Sequence, residues 1–137
     1  MLIGCPREIK PQEYRVGMTP AAAFEAVAAG HKVFIEAGAG LGSGFADDTY
    51  RAAGAQIVDT ATEIFARADM VVKVKEPQPV ERAQLRDGQI LFTYLHLAPD
   101  AAQTRDLLAS GVTAIAYETV TDRAGGLPLL APMSEVA

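Results

Sequence analysis

Cysteine is nearly missing from this chain: Cys5 stands alone among 137 residues. No intrachain disulfide can form, and no zinc site can rest on paired thiolates. Cys5 itself reads as a small buried hydrophobe in the first strand. A basic excess is missing too, since the net charge is −5. That leaves no electrostatic footprint for nucleic acid and no polybasic anchor for an anionic membrane. Long apolar runs are the third absence. The start, MLIGCPREIK, is too short in its apolar part for a signal-peptide core, and no segment approaches the length of a transmembrane helix. Neither nucleic acid nor membrane is expected as a partner, and a cytoplasmic location follows by default.

What is present is a chain of ordinary domain size, 50% apolar and 21% charged, enough to enclose a hydrophobic core. Short apolar runs alternate with amphipathic helical patterns: LIGC, an Ala-rich helix, KVFIEA, a short helix, QIV, a helix, MVVKV, a helix, QILFTYL, a helix, and TAIAYE. That alternation predicts an α/β fold, a Rossmann-like or flavodoxin-like βαβ sandwich with a mainly parallel sheet. Thr19 before Pro20 is an N-cap followed by proline at the first helical position, and Thr60 with Glu63 forms a capping box. Gly30, Gly54 and Gly111 close helices where the chain must turn left-handed. In YETVTDRAGGLPLLAP, a glycine-rich turn between two extended runs predicts a C-terminal hairpin. PMSEVA then opens a helix in which the chain stops, as expected for part of a longer protein.

One motif is a decoy. GAGLGSG, Gly38 to Gly44, follows a strand as a phosphate-binding loop should. A G-x-G-x-x-G pattern begun at Gly38 meets Ser43 at its third glycine, and one begun at Gly40 meets Phe45. No long helix follows to offer its N-terminus to a pyrophosphate. The stretch therefore reads as a βα connection, and the chain is not expected to bind NAD alone.

The stretch from Met70 to Leu97 is more informative. With period two along MVVKVK, Lys73 and Lys75 share one face, and Glu76-Pro77 ends the strand. Lys75 then sits at the carboxyl end, the edge where open α/β sheets bind ligands. His96 ends the next apolar run on the same edge if the strands are parallel. Arg15, in the loop after the first strand, leaves that edge as well. A guanidinium fork suits a carboxylate, an ammonium can polarise a carbonyl, and an imidazole can move a proton near neutral pH. The three together describe a pocket for a small keto acid. Taken singly, a lysine at a strand end is commonly a solvated edge residue and a lone histidine a structural hydrogen bonder. Lys73 has no assignable role and reads as a solvated or interface lysine.

The segments IGCPREIKPQEYRVGMTP, GHKVFIEAGAGLGSGFADDTY, AGAQIV, VVKVKEP, GQILFTYLHLA, GVTAIAYETV and LPLLAPMSEVA resemble, in order and along the whole chain, the N-terminal part of the L-alanine dehydrogenase family. The resemblance implies reversible, NAD-linked oxidative deamination of L-alanine to pyruvate and ammonia. It implies that Arg15 and Lys75 hold the substrate, with His96 as general acid/base, Met133 lining the substrate pocket and Ser134 touching the cofactor. It implies a substrate domain over residues 1–130 and, over 131–137, the start of a linker helix to an NAD-binding domain lying outside this sequence. Family members assemble as homo-hexamers or smaller oligomers. Two alternatives remain beside it. The soluble domain of proton-translocating nicotinamide nucleotide transhydrogenase is similar in the RV..TP and GAG segments, but departs at the positions of Lys75 and His96. A non-catalytic binding module would be marked by loss of the Arg15, Lys75 and His96 trio, which is intact.

Overall fold

The computed structural model describes residues 1–136, and Ala137, the last residue of the expected linker start, lies outside them. Six short strands form one sheet: β1 (Leu2–Cys5), β2 (Lys32–Glu36), β3 (Gln56–Val58), β4 (Met70–Val72), β5 (Ile90–Thr93) and β6 (Thr113–Ala116). Between and after them run α1 (Pro20–Ala28), α2 (Asp47–Ala52), α3 (Ala61–Arg67), α4 (Pro79–Arg82), α5 (Ala101–Ser110) and α6 (Ala131–Val136). Among these residues no helix is long and apolar enough to cross a membrane.

Local chemistry places most helix ends. Thr19 Oγ1 accepts from the Ala22 N–H at 3.1 Å with Pro20 beside it, and Thr60 Oγ1 accepts from Glu63 at 3.3 Å. Each satisfies a donor that a helix start would leave unpaired. Gly30 and Gly111, at φ of 92° and 73°, follow α1 and α5 in the left-handed conformation expected of them.

Every strand pair is parallel, in the order β3-β2-β1-β4-β5-β6. This is the doubly wound Rossmann order, and the winding reverses between β1 and β4. Alternation along β2 splits the core into two layers. Val33 and Ile35 join Ala23 of α1 and Tyr50 of α2, whereas Phe34 joins Ile64 and Phe65 of α3 and Leu107 of α5. Gly4 is required in β1, because a Cβ there would lie 2.6 Å from Ile64 and hold α3 off the sheet. Cys5 is fully buried, and burial pushes its thiol up to about 12. It behaves as the small hydrophobe expected of it.

Two expectations fail. The C-terminal hairpin does not form: β6 ends at Ala116, a short 3₁₀ turn follows over Tyr117–Thr119, and among the described residues no further strand pairs with the sheet. Instead, Asp122 closes a turn on itself, its carboxylate accepting from Ala124 (2.9 Å) and Gly126 (2.8 Å). This local closure satisfies donors within the turn itself, and Pro128 lacks the donor that a returning strand would need. The second failure concerns MVVKVK. The strand stops at Val72, so Lys73 and Lys75 lie beyond it, and their surroundings differ completely.

Candidate functional site

Where the winding reverses, the loops that follow β1 and β4 leave the sheet side by side at its carboxyl edge. Gly17 allows this contact, since a Cβ on it would lie 2.8 Å from the Val72 carbonyl oxygen. In such sheets the crevice outside this point is where ligands bind. Here it is a cavity of about 430 Å³, lined by apolar groups that include Val72, Val74, Phe92, Tyr117, Leu129 and Met133, with Arg15 on its wall. Arg15 and Met133 thus line one cavity. Ser134 is exposed on the next position of α6, and its hydroxyl donates to the Leu130 carbonyl at 3.5 Å.

Lys75 and His96 meet through a ring. The Lys75 ammonium lies 5.0 Å from the centre of the Tyr94 ring, and the His96 imidazole stacks on the same residue at 5.7 Å, 14° from parallel. Tyr94 in turn lies 6.3 Å from Tyr117, whose ring is part of the cavity wall. The ammonium and imidazole therefore stand on an aromatic shelf beside the cavity and do not form its lining. The shelf is tied down: the Tyr117 hydroxyl donates to the Val74 carbonyl at 2.7 Å, and the Thr93 hydroxyl to the Lys75 carbonyl at 2.8 Å.

His96 has an unusual backbone, with φ of 47° in the left-handed region that side chains other than glycine rarely adopt. Glu118, just past β6, holds it there. Its carboxylate accepts from the His96 N–H at 2.9 Å and the Leu95 N–H at 3.2 Å, while Gln103 donates to the Leu95 carbonyl at 2.8 Å.

Lys73 is corrected outright. Its side chain has no solvent exposure, and its ammonium lies 2.8 Å from Glu8 Oε2 and 3.0 Å from Glu81 Oε2, both carboxylates buried. Burial alone would lower the Lys73 ammonium, but Glu8 and Glu81 outweigh it and hold it above its ordinary value. Glu8 also accepts from the Val74 N–H and, at 3.4 Å, from the Lys75 N–H. The cluster therefore fixes the backbone that carries Lys75.

Arg15 has a partner that sequence reading missed. Both oxygens of Glu13 take its guanidinium, Oε2 from Nε at 3.0 Å and Oε1 from Nη2 at 2.6 Å. Glu13 and Glu8 share the loop of Arg15, and Glu118 follows β6 at the same sheet edge. The edge rule that selected Lys75 and His96 would have found these carboxylates had it been applied to acids.

In the glycine loop, two glycines answer to close packing. A Cβ at Gly40 would lie 2.7 Å from the Tyr50 ring, and one at Gly42 would lie 2.6 Å from the Tyr14 carbonyl. Packing against this chain's own atoms accounts for both glycines.

Residues 4–137 match the family model described as the N-terminal domain of alanine dehydrogenase/PNT. The chain is 56% identical over its full length to an alanine dehydrogenase of Mycolicibacterium smegmatis, covering 37% of that protein. Among solved structures, it superposes on an L-alanine dehydrogenase with a TM-score of 0.96 at 54% identity, covering the whole of this chain and 38% of the other. It superposes on a transhydrogenase from Sinorhizobium meliloti with a TM-score of 0.83 at 28% identity, over 90% of this chain and 35% of that one. The chain thus spans little more than a third of the length of the proteins it matches.

Proposed function

Because the chain belongs to the alanine dehydrogenase/PNT N-terminal domain family, we propose that it is the substrate-binding part of an NAD-dependent L-alanine dehydrogenase. The reaction is L-alanine, NAD⁺ and water to pyruvate, ammonia and NADH, in either direction. Residues 1–130 are the body of the substrate domain, and 131–137 begin the connection to an NAD-binding domain outside this sequence. The protein works in the cytoplasm as a homo-oligomer, a hexamer by family resemblance.

The observation that carries this reading is the placement of Arg15 on the cavity wall, with Lys75 and His96 stacked on Tyr94 beside it. Arg15 pairs with the substrate carboxylate, and Met133 packs on the substrate methyl. The Lys75 ammonium faces the carbonyl or imine and stabilises negative charge developing on it. His96, exposed at the crevice, passes a proton to and from the water that adds to the imine carbon. NAD supplies the hydride acceptor, and Ser134 is the hydroxyl of this chain that touches it. With the cofactor held mainly by other segments, these 137 residues alone are expected to be catalytically silent, since hydride transfer needs a nicotinamide held against the substrate.

The test is NADH oxidation by the full-length protein carrying this sequence, with pyruvate and ammonium, beside His96→Ala and a control without ammonium. Turnover that requires ammonium and collapses in the variant is the expected result. Hydride transfer between two nucleotides without a keto acid would favour the transhydrogenase reading. NADH-linked pyruvate reduction by the 137 residues alone would remove the claim that they are silent.

A further inference from the structure

Arg15 lines the crevice, Lys75 stands on the Tyr94 shelf beside it, and Glu13 grips Arg15 from the adjoining hollow that both residues line. Its side chain is only 7% exposed, whereas that of Arg15 is 49% exposed. The acid is the packed member of the pair and the guanidinium the outward one. Glu13 grips the Nε and Nη2 side of the guanidinium and takes the Arg15 backbone N–H at 3.0 Å as well. Among the described residues Nη1 makes no hydrogen bond, so its donors remain for a second carboxylate. The Lys75 ammonium also favours the charged form of Glu13. The other acids nearby are committed elsewhere: Glu76 is paired with Lys10, Glu8 and Glu81 with Lys73, and Glu118 with backbone N–H groups.

We propose that Glu13 is a positioning and charge-setting residue of the substrate pocket, one that selects 2-oxo monoacids over dicarboxylates. It fixes which edge of Arg15 meets the substrate carboxylate, and it cancels one of the two cations. The remaining single positive charge matches a ligand with one carboxylate. A second carboxylate would enter a pocket whose cationic charge is already spent. This inference rests on the reading that Arg15 and Lys75 hold the substrate.

Oxamate and oxalate are the discriminating probes, nearly equal in size and shape and differing by one negative charge. Competitive inhibition against pyruvate is measured in the full-length protein for wild type, Glu13→Gln and Glu13→Asp. Wild type is expected to prefer oxamate. Glu13→Gln restores the second positive charge and should shift the oxamate-to-oxalate ratio of inhibition constants toward oxalate by roughly tenfold, the scale of one unscreened charge across a pocket. Glu13→Asp keeps the charge and should retain the wild-type ratio, while a shorter reach loosens Arg15 and raises KM for pyruvate. A ratio unmoved in Glu13→Gln, with KM alone changed, would reduce Glu13 to a structural partner and overturn the proposal. Absence of pyruvate turnover in wild type would instead remove the functional reading beneath it, so the two failures are distinguishable.

Discussion

Lys73 and Lys75 stand two residues apart in one loop, yet the first is sealed between two buried carboxylates and the second lies over an aromatic ring at the edge of a cavity. Charge, length and flexibility are the same for both side chains. What differs is what the fold brings to each. Lys73 meets Glu8 from the loop after β1 and Glu81 from α4, so its charge is neutralised on site and joins three segments. Lys75 meets the face of Tyr94 instead of a carboxylate. An enclosed lysine with paired acids is part of the framework, and an open one beside a cavity is free to act.

Replacing Lys73 breaks this contrast most severely. Lys73→Met leaves two carboxylates buried without their cation, and should cost about 3–5 kcal/mol or prevent folding. Urea unfolding measures it, and combining the change with Glu81→Gln should recover part of the loss. Stability unchanged in Lys73→Met would mean that the cluster is not structural.

Glu118→Gln tests the support under the open side. One acceptor for the Leu95 and His96 N–H groups remains and the charge is gone, so the expected cost is about 1 kcal/mol. The drop in kcat should be larger than that change in stability alone would produce, because the left-handed His96 backbone loses its anchor. Wild-type kcat with a lowered melting temperature would show that Glu118 serves only the fold.

The two acids also differ in their response to pH. Burial pushes the Glu81 carboxyl above its ordinary 4.5. The hydrogen bonds from Arg15 hold Glu13 below the same value. A raised value means that the native state binds the proton more tightly, so stability from Glu81 is present in acid and is lost as pH climbs above 4.5 through its folded titration. For Glu13 the sign reverses: stability is present above 4.5 and is lost as pH falls through its depressed folded titration. Stability curves against pH should therefore lose a falling limb in Glu81→Gln and a rising limb in Glu13→Gln. Limbs of the same sign would erase the distinction.

The smallest effect on stability belongs to Lys75→Ala, within about 0.5 kcal/mol of wild type. In the full-length protein its turnover with pyruvate and ammonium should fall by about a hundredfold or more. A destabilised but active Lys75→Ala protein would invert the assignment of the two lysines.

Much of the scaffold was legible in advance because it is written in short-range chemistry. Strand and helix order, the Thr19 and Thr60 caps and the glycines after α1 and α5 each depend on neighbours within a few residues. The hairpin misreading marks the limit of that information. A glycine-rich turn suits a hairpin and a self-closed loop equally, and the difference lies in whether the flanking runs find a partner in the sheet. The site was half legible for a related reason. Residue type and the sheet-edge rule pointed to Arg15, Lys75 and His96, but not to the carboxylates that hold them or to Tyr94 between two of them.

By itself, then, the sequence determined a parallel α/β alternation, a chain whose single thiol allows no intrachain disulfide, and a set of candidate residues at the carboxyl edge of the sheet. Only the tertiary structure decided the strand order and its reversal between β1 and β4, the burial of Lys73, the left-handed backbone of His96 and the carboxylate that grips Arg15. The physical reason is distance along the chain. Glu8 meets Lys73 across 65 residues and Glu118 meets His96 across 22. A charge's fate depends on which distant group reaches it and on how much water that approach expels, neither of which is encoded within a few residues of the charge itself.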